Sequence, residues 1–270
     1  MREIDIIERG LCEQITKVEL LAELDITPEL AEQLGSAMVE LVSQYNHAEA
    51  TRYLERFYPA SLVVFLVAQG IYGYRDGDYW SGVARVVGID QNIVQRWGRI
   101  FEDVLQKWAK PRFPTLGGRR YVDHILVHGG IPDYCLPDFF LHMLEPAVTR
   151  PELVYLDTNE LITEWLHTTA GRYMTDKPVL RFLEHGGTIA NDFVARCLDM
   201  ARQYLEFGSV PTAEEVGLPA RVVDKYRQWV AQRNIDKSAR TSQLRLVRPQ
   251  IWFDPYGDGV LLDLPVQTLP

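Results

Sequence analysis

The segment Pro59-Ala60-Ser61-Leu62-Val63-Val64-Phe65-Leu66-Val67-Ala68 constrains the fold of this chain more than any other. Proline suits the first turn of a helix, and Gly70 and Gly73 punctuate its end. The helix is apolar on every side. At ten residues it falls well short of the roughly 20 needed to cross a bilayer, so its place is the centre of a folded domain. Several further helices are needed to cover it, and the rest of the sequence supplies them.

The 270 residues are 47% apolar and 24% charged, a normal balance for a folded domain. That length allows one large domain or two smaller ones. No sustained apolar run of membrane-spanning length occurs, and MREIDIIERG opens acidic and amphipathic, without the apolar core of a signal peptide. Cys12, Cys135 and Cys197 are far apart, and none forms a Cys-x-x-Cys pair. They read as small core residues in a reducing compartment. A cytoplasmic location and no membrane association are the expectations.

Helical spacing dominates. Thr27-Pro28-Glu29 is a cap, an N1 proline and a first-turn acid, followed by Leu30, Leu34, Met38, Leu41 and Val42. A helix is predicted from His47 to Phe57, before the apolar one. Another, capped by Asp90, carries Ile93, Val94, Trp97, Phe101, Leu105 and Trp108. Later helices are predicted near 119–128, 137–145, 159–169, 177–184, 188–207 and 219–232. From about Leu244 the runs LRLV, QIWF and GVLLDLP, with DPYGDG between the last two, read as a β-hairpin. So few strands make no stable sheet alone. They would pack on the helical body or pair with strands of a longer protein, of which this chain would be a truncated piece.

The fold class is therefore mainly α: a multi-helix orthogonal bundle with helix-turn-helix-like corners and a short C-terminal β-hairpin. The organisation is an N-terminal helical subdomain over 1–150 and a second over 151–243. The hairpin tail, 244–270, would open a further β domain.

Charge is uneven within a net −9. Residues 1–60 sum to −7 and 121–220 to −9, whereas 85–120 sum to +5 and 221–250 to +6. Two basic islands thus lie in an acidic chain, and each holds the same local pattern. In WSGVARVVGIDQNIVQRW, Ala84 is a small residue with Gly88 four later, and Val83, Val87, Ile89, Val94 and Trp97 sit at the apolar offsets. In PTAEEVGLPARVVDKYRQW, Ala213 and Gly217 keep that separation, with Val216, Leu218, Val223 and Tyr226.

Both segments resemble the general helix-turn-helix motif over about 20 residues each. The resemblance implies duplex recognition by the second helix. A tight structural corner is the competing reading of the same pattern. On the first copy the outward positions would be Gln91, Asn92, Gln95, Arg96 and Arg99, types that reach base edges and phosphates. On the second they would be Arg221, Lys225, Arg227 and Gln228, with Glu214 and Glu215 unfavourable near phosphate. The loop KPRFPTLGGRR adds Lys110, Arg112, Arg119 and Arg120, placed to track a phosphate backbone.

Leu126-Val127-His128-Gly129-Gly130 recurs as Leu183-Glu184-His185-Gly186-Gly187. Glycines after a helix end take the left-handed conformation that closes it, and histidine suits the negative end of the dipole. His124 and His128, four apart beside Asp123, have the spacing for a metal on one helix face. Ile125 stands where the metalloprotease pattern needs Glu, so a partly buried helix end is preferred and no metal is expected. Phosphate-binding, dinucleotide and nucleophile-elbow glycine motifs are absent. Tyr72, Tyr74, Tyr79, Trp80, Trp97, Phe101 and Trp108 could stack single-stranded bases, but their helical spacing favours a core.

These readings lead to a non-enzymatic binding module of a larger protein or complex, without cofactor. Its preferred ligand is nucleic acid, DNA or RNA, through residues 85–120. The alternatives are a protein-interaction scaffold using the acidic face or the C-terminal β edge, and an enzyme with an unrecognised site. A partner protein or a missing C-terminal domain belongs to the scaffold reading.

Overall fold

A computed structural model describes residues 3–74, 78–111, 113, 120–150, 153, 156–167, 177–246, 250–253, 260–263 and 266–268; side chains are described as far as residue 234, Glu3 and Arg120 excepted. Within these residues the chain is mainly helical. It divides by contacts into two units, Met1–Tyr226 and Arg227–Pro270.

The first unit is built around α4 (Pro59–Ala68), buried at every position from Ala60 to Ala68. Burying six Leu, Val and Phe side chains in succession contributes on the order of 10 kcal/mol of gross transfer energy, before the cost of ordering the chain. Around it pack α1 (Glu3–Ile15), α2 (Pro28–Gln44) and α3 (His47–Phe57). Thr27 caps α2 by accepting the Leu30 N–H, and Asn46 caps α3 by accepting that of Glu49.

The N-cap of α4, Tyr58, offers no side-chain cap. Glu8 of α1 serves instead, accepting the Ala60 N–H at 3.0 Å and the Ser61 N–H at 2.7 Å. A buried carboxylate is thereby satisfied at the positive end of a helix dipole, and α1 is locked to the central helix. Among the described residues no single helix is long and apolar enough to cross a membrane, and α3 meets α4 at a 105° bend.

Helix α4 runs into a π turn, Gln69–Gly73. There the buried Tyr79 hydroxyl donates to the Leu66 carbonyl at 2.6 Å, satisfying a backbone group at the register change. Then come α5 (Tyr79–Val87), α6 (Gln91–Lys107) and α7 (Arg120–Gly129). Helices α6 and α7 approach so closely at Gly98 that a Cβ there would lie 2.6 Å from that of Tyr121.

Past α7, Gly130 takes φ +70°, and Gly187 of the second His-Gly-Gly takes φ +55°. The repeated motif closes helices, as its sequence implies. Helix α8 (Leu136–Phe139) continues through a second π turn, Phe140–Leu144, into α9 (Glu145–Thr149). Pro146 lacks the N–H that would pair with the His142 carbonyl four residues back. That carbonyl instead accepts the indole N–H of Trp165 at 3.1 Å, from α10 (Thr158–His167). The chain continues through α11 (Lys177–His185), α12 (Gly187–Phe207), α13 (Ala213–Val216) and α14 (Ala220–Gln243).

The second unit carries β1 (Leu244–Leu246), β2 (Gln250–Phe253), β3 (Val260–Asp263) and β4 (Val266–Thr268). Strands β1 and β4 pair antiparallel with Leu244 opposite Thr268, and β2 and β3 with Gln250 opposite Asp263. In the same unit the Arg233 guanidinium lies over the Trp229 ring, 4.9 Å from its centroid.

Candidate nucleic-acid interface

The corner between α5 and α6 follows from three local choices. Ala84 ends its helix by accepting the N–H groups of both Gly88 (2.8 Å) and Ile89 (3.2 Å). Gly88 adopts φ +76°, which an L side chain rarely tolerates. Asp90 then opens α6, its carboxylate accepting the Asn92 N–H at 2.8 Å. Val83, Val87, Val94 and Trp97 are buried in the angle between the helices, and Ile89 is half-buried.

With that side of α6 committed to the core, Asn92, Gln95, Arg96 and Arg99 emerge together on its exposed face. They span about two helical turns, roughly 10 Å. Gln91 is half-buried and turned aside, its amide donating to Asp78 at 2.8 Å. Arg99 lies 3.8 Å from Asp103, and both are solvent-facing, so this pair is weak and easily exchanged for another anion.

Asp90 is occupied as a helix cap, and Glu102 is buried. The Glu102 carboxyl meets Nδ1 of His124 at 3.1 Å, while Nε2 of the same ring meets the Phe113 carbonyl. Oxygen atoms therefore flank the ring at both nitrogens and fix its orientation. Asp90 remains exposed and Asp103 is half-exposed, so of the three acids in 85–120 only Glu102 is withdrawn from the surface.

The loop residues divide. Lys110 donates its ammonium to the Val18 carbonyl and is half-buried, which ties down the end of α6. Arg112 and Arg119 lie outside the described residues, as does the Arg120 side chain. His124 and His128 anchor the start of this loop, the latter by donating Nε2–H to the Pro111 carbonyl at 3.0 Å. Neither is aimed at a shared open position, and among the described residues no group of three His, Cys, Asp or Glu could hold a metal. Nearby, Arg181 and Asp123 form an almost fully buried ion pair at 2.7 Å.

The second corner repeats the first in its backbone. Ala213 accepts the N–H groups of Gly217 and Leu218, and Gly217 has φ +65°. Thr212 and Glu215 cap each other reciprocally, and these hydrogen bonds hold the Glu215 carboxyl below the usual carboxylate range. Its first helix, however, is a single turn. Arg221, expected on the outside, is buried, with its side chain 6% exposed. It donates to the carbonyls of Ile131 (2.9 Å) and Gly129 (3.3 Å) and meets Asp133 at 3.3 Å. Lys225 also leans on Asp133, at 3.7 Å.

No stacking platform emerges from the aromatic cluster. Tyr74, Tyr79, Trp80, Trp97 and Phe101 are buried, and the half-buried Tyr72 hydroxyl donates to the Ile26 carbonyl at 2.5 Å. Burial raises the Tyr72 pKa to about 12. No protein-family model, curated protein or solved structure matches this chain.

Proposed function

We propose that this chain binds nucleic acid through the outward face of α6. The observation that carries the reading is the separation of the two sides of that helix. Val94, Trp97 and Phe101 fasten one side to the core, while Asn92, Gln95, Arg96 and Arg99 stand together on the other. Asparagine and glutamine are suited to base edges, arginine to guanine or phosphate. A helix of this width fits the major groove of a duplex.

The architecture belongs to the same proposal. We read the helical body as an orthogonal bundle with helix-turn-helix corners at Gly88 and Gly217, the first used for recognition and the second for structure. The tail is read as a β-hairpin.

The test is fluorescence anisotropy of a labelled duplex with the full chain at about 50 mM and about 200 mM salt. Affinity falls by orders of magnitude between them if several phosphates are contacted. Arg96→Ala/Arg99→Ala weakens binding and lowers the slope of log affinity against log salt by about 2. Absence of binding at the lower salt rules the reading out.

A further inference from the structure

We propose that the trough between α1 and α2 is a docking groove for a basic amphipathic helix of a partner protein. Both helices pack on α4, and between them lies an open hollow of about 430 Å³. That is within the roughly 300–1,000 Å³ range of ligand clefts. Its floor is aliphatic, from Ile7, Ala37 and Leu41, and its wall carries the exposed Glu29, Glu32 and Glu40. Neither lysine nor arginine is among the residues lining it.

A second, shallower hollow of about 520 Å³ flanks the other side of α2. Val39 and Val86, 42% and 43% exposed, line it together with Glu32 and Glu40 again. The ridge Glu32–Ser36–Glu40 therefore runs between two apolar hollows, its carboxylates two turns or about 12 Å apart.

Charge selects the occupant. Residues 1–60 sum to −7, which repels phosphate and excludes nucleic acid from this face. Among the described residues none of these carboxylates joins a metal-binding group. An amphipathic helix meets both features, with aliphatic side chains at i, i+3 and i+4 entering the hollows and lysines on either flank reaching the ridge. This site is separate from the α6 face and stands independently of it.

The experiment uses the full chain and a fluorescein-labelled peptide of about 18 residues with one leucine face and one lysine face. Glu32→Lys/Glu40→Lys and Val39→Asp each weaken peptide binding about tenfold or more. Glu164→Lys/Glu206→Lys, an equal charge change on exposed residues elsewhere, leaves it within about twofold. Equal losses in both double variants, or no peptide binding by the wild type, overturn the proposal. So does a dimer of the wild-type chain, in sedimentation, that Glu32→Lys/Glu40→Lys dissolves while the peptide stays unbound; the groove would then belong to a second copy. Duplex DNA is absent from these mixtures, so the result does not depend on the α6 reading.

Discussion

His128 lies fully buried between the rings of Phe101 and Phe113 and donates one N–H to the Pro111 carbonyl. Its Nδ1 has no hydrogen-bond partner, so a second proton there would be a buried, uncompensated charge. Burial accordingly pushes the pKa down from 6.5 to about 4. The unfolded chain then binds more protons than the folded one between those values, and stability falls as pH falls through that window. The loss by pH 4 is on the order of 3 kcal/mol. Denaturant titrations at pH 7 and pH 4.5 should show this slope in the wild type and a flatter one in His128→Gln, whose amide keeps a donor. An unchanged slope in the variant would assign the acid sensitivity to other groups. The His124–His128 spacing was visible in the sequence, and so was its preferred reading as a helix end. What each ring touches was not, because the Pro111 and Phe113 carbonyls are placed by the fold. Arg221 went astray for the same reason: helical phase put it outside, and three long-range oxygen acceptors hold it in.

Elements were the most legible scale. Caps at Thr27 and Asp90, the apolar run of α4 and the glycines after α7 all depend on neighbours in sequence, and the structure forms them there. The π turns escaped, because each rests on a distant donor, Tyr79 for Leu66 and Trp165 for His142. The Glu8 cap escaped as well, since its partners lie some fifty residues away. Removing it should be costly. Glu8→Ala strands two buried N–H groups at the dipole's positive end, so chemical denaturation should show a loss of about 2–3 kcal/mol. A loss under about 0.5 kcal/mol would mean that water replaces the carboxylate. Gly98→Ala tests the crossing of α6 and α7 in the same assay. Its new methyl meets the Tyr121 Cβ, which is fixed to the backbone, so about 1–3 kcal/mol should be lost. A neutral result would show that the two helices can move apart freely.

At the scale of the whole molecule, the two proposed sites fall on segments of opposite charge, α6 in the basic 85–120 and the groove in the acidic 1–60. The sum of −9 excludes neither, because side chains spent inside, such as Glu102, Arg181 and Arg221, leave the surface balance different from the count. The segments carrying the basic islands were readable from the sequence. On the first, helical phase also placed Arg96 and Arg99 outside, where the structure has them; on the second it failed, because Arg221 is buried and Lys225 leans on Asp133.

The central claim is that one face of α6, rather than cationic charge in general, holds the nucleic acid. The direct measurement compares duplex affinity at fixed salt for Arg96→Glu/Arg99→Glu and Arg52→Glu/Arg56→Glu, which change net charge equally from exposed positions on α6 and α3. The account predicts a loss of about a hundredfold or more for the α6 variant and less than about threefold for the α3 variant. Equal losses would contradict it, reducing the binding to non-specific attraction.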